Sequence, residues 1–361
     1  MLAEMIGPYN AIAHIAMSEV EAALEAGWRV TVVAKWVHEA LCRRVEWLKL
    51  YVPKRGFALK WLTGRHYIRK ALGDSSRFDL IWGHQPQIAD LCDVFNSHFL
   101  TRAVFERGGF CRPNSMRGLL GWAQQHIVLH AEDRFYQNWN QHTHMVFCSE
   151  LLRKEFARHY GMPARNEVLV NFAPAFVNVE ARDRERARED VAKVRDSRIV
   201  LGYLGGIDPR KGYQELTEAL RGENDLFLLI GGANSAGFYD RGLAGRHYST
   251  GLVNDTSQFY KACDVFIVPS RFDPCPLVVL EAAAHGIPVI VTNDVGNAPE
   301  VTRFGAGMVW ERSAPLAPMV RELHRRRVEY CEGARRMCNA LSEERFRARV
   351  SVVLNESKRC R

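Results

Sequence analysis

Two carboxylates stand out for their spacing. Between Pro269 and Ile290 the chain runs Pro-Ser-Arg-Phe-Asp-Pro-Cys-Pro-Leu-Val-Val-Leu-Glu-Ala-Ala-Ala-His-Gly-Ile-Pro-Val-Ile. Asp273 and Glu281 are separated by seven residues. The first falls in a loop after a strand, the second about one turn into the helix which that loop begins. Pro276 is expected at the first helical position, where it presets the turn. The backbone N–H groups of Leu277 and Val278 are then open at a helix N-terminus, which suits an anion. Two carboxylates flanking an anion-binding helix start fit a ligand with hydroxyls on both sides of a diphosphate, and a nucleotide sugar has that layout.

A second constellation supplies the opposite charge. In Leu204-Gly205-Gly206-Ile207-Asp208-Pro209-Arg210-Lys211-Gly212 a strand ends in two glycines. Arg210 and Lys211 then sit just before a helix that starts near Tyr213. Glycines let backbone approach a ligand closely, and paired cations at a helix start suit a phosphate. On its own the stretch reads equally well as an ordinary strand-to-helix loop with surface cations.

The elements that must position these residues alternate. Ile12, Ile15, Ala16, Glu19, Val20, Ala23 and Leu24 follow helical spacing, Gly27 stops the helix, and Arg29–Ala34 reads as a buried strand. Only Met1 to Met5 remain for a strand ahead of the Gly7-Pro8 loop, so the chain is expected to begin at or inside its first strand. Phe78–Gly83, Asp93–Asn96 and His144–Ser149 read as further strands, with a long helix over about Arg117–Asn138 and Ser149 as a helix cap. Residues 180–198 are dense in charge and read as a solvated helix at a domain boundary. The pattern then restarts, with strands at Ile199–Leu204, Leu226–Ile230, Tyr248–Gly251, Val265–Pro269 and Val289–Val291 and helices between them. Strands alternating with helices give parallel α/β sheets. The expected organisation is an acceptor-binding domain over residues 1–175, a charged linker over 176–198, a nucleotide-sugar domain over 199–340, and a C-terminal helix over 341–361 that crosses back to the first domain.

The acidic stretch resembles the retaining glycosyltransferases of family 4 (glycosyl transferases group 1), whose signature is Glu, seven residues, Glu, then Ala, a small residue, Gly, and Pro-Val. The resemblance covers nearly the whole chain. Val146-Phe147-Cys148-Ser149-Glu150, Asn171, Arg210-Lys211-Gly212 and Gly251 through Ala262-Cys263-Asp264-Val265 fall in the family's order, and the layout is similar to the lipopolysaccharide core glucosyltransferases. The resemblance implies the GT-B fold, an α/β class with two doubly wound Rossmann-like domains facing a cleft. It implies transfer of a sugar from a nucleotide diphosphate donor, with retention, to a glycan, lipid-linked or small-molecule acceptor in cell-envelope polysaccharide or lipopolysaccharide synthesis. It implies no metal and no cofactor beyond the donor substrate. By the same resemblance Glu281 binds ribose hydroxyls, Asp273 the transferred sugar, and Arg210 and Lys211 the diphosphate with help from the N–H groups of Leu277 and Val278. The backbone near Val253 holds the base and Gly7 faces the phosphates; His98 either lies beside the reacting sugar or is a loop histidine with a structural hydrogen bond, and His84 is a second candidate on the acceptor side.

Three residues depart from the family pattern. Asp273 stands where Glu is usual, Pro276 where Gly is usual, and Gly206 where many members carry Arg, whose charge Arg210 then supplies. The departures leave room for a sugar-nucleotide-binding scaffold without turnover, or for an epimerase of the same fold.

Composition narrows the field around this reading. The chain has 361 residues, 47% hydrophobic and 25% charged, which excludes disordered and fibrous classes. Nine scattered cysteines with no C-x-x-C pair read as reduced thiols in a cytosolic setting. No apolar run is long enough for a spanning helix. His126 and His130 are four apart but lack the glutamate of a zinc-protease helix. The net charge of +8 admits nucleic acid, an anionic membrane or a phosphorylated substrate, and no nucleic-acid recognition motif supports the first. Trp47–Gly73 holds seven cations (Lys49, Lys54, Arg55, Lys60, Arg65, Arg69, Lys70) and no acid, interleaved with aromatics. It reads either as a helix packing its apolar stripe inward or as a surface that docks the enzyme peripherally on an anionic inner leaflet.

Overall fold

The computed structural model describes residues 1–8, 10–51, 57–108, 116–137, 139, 142–194, 196–232 and 235–358; for 57–61 and 116–118 only the backbone is described. The chain divides into two compact units. One comprises Met1–Ala103, Cys111–Asn171 and Glu343–Arg361, the other Val104–Phe110 and Phe172–Ser342.

In the first unit Trp82–Gly83, Val94–Ser97, His144–Phe147 and Asn166–Val168 form a four-stranded parallel sheet. Leu2 bridges Gly83 on one side and Val33 on the other, which joins this sheet to the parallel pair Thr31–Ala34 and Glu46–Lys49. The helix Ala11–Glu25 starts where the Asn10 side chain accepts from Ala13 N at 3.0 Å. It buries Ile15, Ala16, Val20 and, unusually, Glu19. The helix Glu343–Ser357 lies against it, with Arg347 Nη1 2.6 Å from Glu25 Oε1.

The second unit holds a six-stranded, all-parallel sheet. Its order is His247–Ser249, Leu226–Gly231, Ile199–Leu204, Val265–Val268, Val289–Val291, Gly307–Val309. The central strands are apolar at nearly every position because helices cover both faces. Val200, Phe227, Leu229 and Phe266 point into one core with Val279, Leu280 and Met337. Leu201, Leu228, Ile230 and Ile267 point into the other with Leu216, Val320 and Leu323. The order reverses between Ile199–Leu204 and Val265–Val268, and ligands of doubly wound sheets bind at the carboxyl ends of the strands at such a switch point. The loops that follow these two strands carry Arg210, Lys211 and Asp273.

Several boundaries differ from those the sequence suggests. Residues 176–198 are not a free linker but part of the second unit. The helix Ala181–Ala187 and the π turn Arg188–Ala192 are tied in by Arg184 Nη1 donating to Cys263 O at 2.7 Å and by an Arg188–Asp264 ion pair at 2.7 Å. Charge density there reflects these bonds, not solvation alone. The second unit runs from 172 to 342 and not 199–340. The basic segment 47–73 is a strand, Glu46–Lys49, followed by the helix Phe57–Leu72. Ile68 and Leu72 are buried, Arg65 is paired with Asp90, and Lys54, Arg55 and the side chains of Phe57, Lys60 and Trp61 lie outside the described residues.

Candidate active site

Three of the expected residues meet at the switch point. Asp208 caps the 3-10 turn Pro209–Lys211, its Oδ1 accepting from Lys211 N at 3.1 Å. Gly212 then turns the chain at φ +66°, and a Cβ there would lie 2.0 Å from Pro269 O, so only glycine lets the two loops close on one another. Arg271 N donates to Arg210 O at 2.8 Å across this contact. The result brings Lys211 Nζ to 2.5 Å from Asp273 Oδ2, with Arg210 Nη1 3.8 Å from the same oxygen. Arg210 Nη1 also donates to Phe272 O at 3.3 Å. All three side chains are mostly covered yet reach solvent, so two cations and one carboxylate share a half-buried mouth.

The acidic loop is braced from below by residues that sequence reasoning did not single out. Asp273 N donates to Asp294 O at 3.0 Å, and Gly296 N to Asp273 O at 2.8 Å. Arg312 holds Asp294 Oδ2 at 3.0 Å and donates to Ser270 O at 2.6 Å. A guanidinium held through both of its terminal nitrogens by a carboxylate and backbone carbonyls fixes a loop. Its only sequence signal was a lone arginine after the last strand of the sheet.

Pro276 stands one residue ahead of the helix, at its cap with ψ 123°, and not inside it; the helix is Leu277–Ala284. Among the described residues no side chain caps this end, so the N–H groups of Leu277 and Val278, which precede the first intrahelical bond, remain positioned for an anion. Glu281 lies one turn further on. Its Oε2 accepts from Tyr260 OH at 2.7 Å, and burial together with that carboxylate pushes the Tyr260 hydroxyl well above its ordinary pKa. Tyr260 stacks on His285 at 5.2 Å between centroids, and the His285 ring is tied to Glu281 O and Ser257 Oγ at 2.8 and 3.0 Å. Tyr260, also unforeseen, thus orients one oxygen of Glu281 and leaves the other for a ligand.

Gly206 lies in the loop after the first central strand, with Tyr203 OH donating to its carbonyl at 2.6 Å. Beside it Gly232, at φ +139°, packs so close that a Cβ would meet Gly205 O at 2.2 Å. Val253 packs against Gly231, and Gly232 N donates to Gly251 O at 2.8 Å. Gly206, Val253 and the acidic pair therefore all follow carboxyl ends of strands in one sheet.

In the first unit Gly7, at φ +145°, donates its N–H to Ala13 O at 3.0 Å ahead of the helix Ala11–Glu25. The two histidine candidates are direct partners: His84 Nδ1 is 2.8 Å from His98 Nε2. Burial and the neighbouring His84 ring hold His98 well below the usual histidine range. Behind them Glu19 Oε2 lies 2.7 Å from His84 Nε2. A glutamate on the apolar face of the first helix was the signal for this third member.

Residues 183–316 match the family described as glycosyl transferases group 1. Over 142 residues the chain is 30% identical to the UDP-Gal:alpha-D-GlcNAc-diphosphoundecaprenol alpha-1,3-galactosyltransferase of Escherichia coli, covering 36% of this chain and 35% of that protein. The chain spans at most half the length of the curated relatives it matches. Among solved structures it resembles WaaG, a glycosyltransferase involved in lipopolysaccharide biosynthesis, with a TM-score of 0.72 at 17% identity over 98% of both chains. It also resembles Anabaena HepE in complex with UDP-glucose, with a TM-score of 0.67 at 14% identity over 98% of both. The fold is GT-B.

Proposed function

We propose that this protein is a retaining glycosyltransferase that moves a sugar from a nucleotide diphosphate donor to a glycan or lipid-linked acceptor, in the synthesis of a cell-envelope polysaccharide or lipopolysaccharide. The observation that carries this reading is the convergence of Arg210, Lys211 and Asp273 at the switch point, beside the uncapped helix start that leads to Glu281. The group 1 match over 183–316 supports it, as do the UDP-Gal donor and the diphosphoundecaprenol-linked acceptor of the Escherichia coli relative.

In this mechanism the bond from the anomeric carbon to the leaving phosphate oxygen breaks as the acceptor oxygen bonds to the same face. The acceptor's hydroxyl proton passes to that phosphate oxygen, so no strong protein base is required. Arg210 and Lys211 stabilise the charge that grows on the diphosphate, the task a metal ion performs elsewhere. The N–H groups of Leu277 and Val278 add two oriented donors. Asp273 accepts from hydroxyls of the transferred sugar, Glu281 from the ribose, and backbone near Gly206 and Val253 lines the nucleotide. In the first unit Gly7 faces the phosphates, His98 the reacting sugar, and His84 the acceptor side.

A thermal-shift panel of UDP, GDP, ADP and dTDP sugars tests the donor half. One nucleotide at about 100 times its Kd stabilises by about 2.7 kcal/mol, which raises Tm by roughly 3–4 °C in a protein of this size. If no member of the panel shifts Tm or supports transfer, the reading fails. Binding without transfer or donor hydrolysis would favour a scaffold, and a free epimerised donor an epimerase.

The acceptor half places the enzyme peripherally at the cytoplasmic face of a membrane. No helix among the described residues is long and apolar enough to cross one. The basic, aromatic stretch Trp47–Gly73 is the proposed contact, each cation near an anionic surface contributing about 1 kcal/mol. Co-sedimentation with vesicles is expected to rise with anionic lipid, fall with salt, and drop when Lys54, Arg55 and Lys60 become Gln. Equal pelleting with neutral vesicles, or no loss in the triple variant, would overturn it.

A further inference from the structure

The second unit carries a pocket away from the proposed donor mouth. It has a volume of about 700 Å³ and is lined by the helix Ala181–Ala187, the start of the helix Arg327–Ala340 and the turn at His285 and Gly286. Four arginines stand on its wall, Arg184, Arg188, Arg327 and Arg335. Two of them have their partners. Arg188 donates from Nη1 to Asp264 Oδ2 at 2.7 Å and from Nη2 to the carbonyls of Asp196 and Arg198 at 3.3 and 2.6 Å. Arg335 lies 4.6 Å over the Phe176 ring and 3.7 Å from Glu332. The other two keep open donors. Arg184 is half-buried. Its Nη1 donates to Cys263 O at 2.7 Å, and among the described residues its guanidinium has no other hydrogen bond or ion pair. Burial accordingly lowers its pKa from the ordinary arginine value. Arg327, with 25% of its side chain exposed, stands 4.0 Å from Asp264 Oδ1 and makes no hydrogen bond among the described residues. The buried Asp264 is meanwhile engaged through Oδ2 by Arg188 and by Val200 N at 2.8 Å. The acids on the rim, Glu185, Asp196 and Glu332, are exposed, and Asp196 is paired with Arg198 at 2.7 Å. Burial keeps His285 and the Cys331 thiol, also on the wall, uncharged near pH 7. With the paired groups set aside, Arg184 and Arg327 are balanced by Glu185 alone among the lining residues.

We propose that Arg184 and Arg327 form an anion site that takes the phosphate of a small phosphomonoester, separate from the diphosphate mouth at Arg210 and Lys211 and independent of the transferase reading. A guanidinium carries five N–H donors in a fixed fork and no acceptor, and that fork matches the oxygens of a phosphate. A phosphate monoester carries about −1.5 to −2 charges near pH 7, which two open arginines balance. The pocket is larger than a phosphate. The rest of its wall includes Phe176, Val177, Val179 and Val328, an apolar surface for an organic body, and pockets of this size usually hold a small molecule. The site lies at the carboxyl end of the helix Leu277–Ala284. The N–H groups proposed to face the donor are at the other end, about 12 Å away for a helix of 8 residues.

The test is calorimetric titration of the full chain near pH 7.5 with phenyl phosphate and with inorganic phosphate. Wild type is expected to bind phenyl phosphate, and to bind it more tightly than inorganic phosphate. Arg327→Gln is expected to weaken phenyl phosphate at least about tenfold, the loss for one charge-assisted hydrogen bond. Arg210→Ala with Lys211→Ala should leave its Kd within twofold. Arg327 makes no hydrogen bond among the described residues, so its variant should melt as wild type does; Arg184→Gln is the second variant and should lose binding to a similar degree. No heat from either probe with wild type overturns the inference without any variant, so poor folding of one leaves it falsifiable. Binding kept in Arg327→Gln but lost in the Arg210 and Lys211 double variant would place the anion in the donor mouth and overturn the separate site. Inorganic phosphate bound as tightly as phenyl phosphate would overturn the organic body.

Discussion

Changing both Arg210 and Lys211 to alanine is expected to lower sugar transfer by at least ~10³-fold in a protein that still folds, because loss of a single preorganised donor to a developing anion costs about 10²–10³ in rate. Both side chains sit in the short turn Pro209–Lys211 and neither belongs to the cores of the second unit. The substitution does leave Asp273 without the ammonium now 2.5 Å away. An ionised group deprived of its partner in a half-buried mouth costs about 1–3 kcal/mol, a Tm loss of several degrees but not collapse. Circular dichroism and melting establish the fold, and release of nucleoside diphosphate with and without acceptor measures turnover. Lys211→Arg, which keeps the charge, should recover part of the rate. Activity within tenfold of wild type in a folded double variant would place the diphosphate elsewhere.

Glu281→Gln is expected to raise donor KM about 10–100-fold and leave acceptor KM within twofold. One carboxylate oxygen is committed to Tyr260 OH at 2.7 Å, and the other is proposed to accept from ribose hydroxyls. Hydrogen bonds to a charged acceptor contribute about 1.5–3 kcal/mol against about 0.5–1.5 for neutral ones. The glutamine retains the Tyr260 bond through its carbonyl and turns its amide, a donor, toward the ribose. Tyr260→Phe should act more weakly, since it releases Glu281 without neutralising it. Donor KM and kcat/KM within twofold of wild type in Glu281→Gln would remove the ribose assignment. An equal loss for donor and acceptor would point to general damage of the helix Leu277–Ala284.

The two loops of the second unit were legible because their signals are local. Apolar runs such as Ile199–Leu204 and Val265–Val268 are buried on both faces, and glycine and proline punctuate the loops beyond them. The edge strand Glu46–Lys49 was not legible because none of its four side chains is buried, so it carries no run or alternation to read. In the sequence it merges with the basic segment after it. Residues 176–198 mislead in the opposite direction: an arginine donating to buried carbonyls has the same letter as one in solvent.

By itself, the sequence determined a parallel α/β class and the presence of one cationic and one acidic loop, each after a strand, from which a nucleotide-sugar site is proposed. These derive from periodicity and from backbone freedom at single residues, which are properties of short windows. Only the tertiary structure decided which residues meet. Lys211 reaches Asp273 across 62 positions because Ile199–Leu204 and Val265–Val268 are neighbours in the sheet. Glu19 reaches His84 and Asn96 because its helix packs on the strands of the first unit. Strand order and helix docking are set by the burial of whole faces, a sum over many distant residues that no local pattern records.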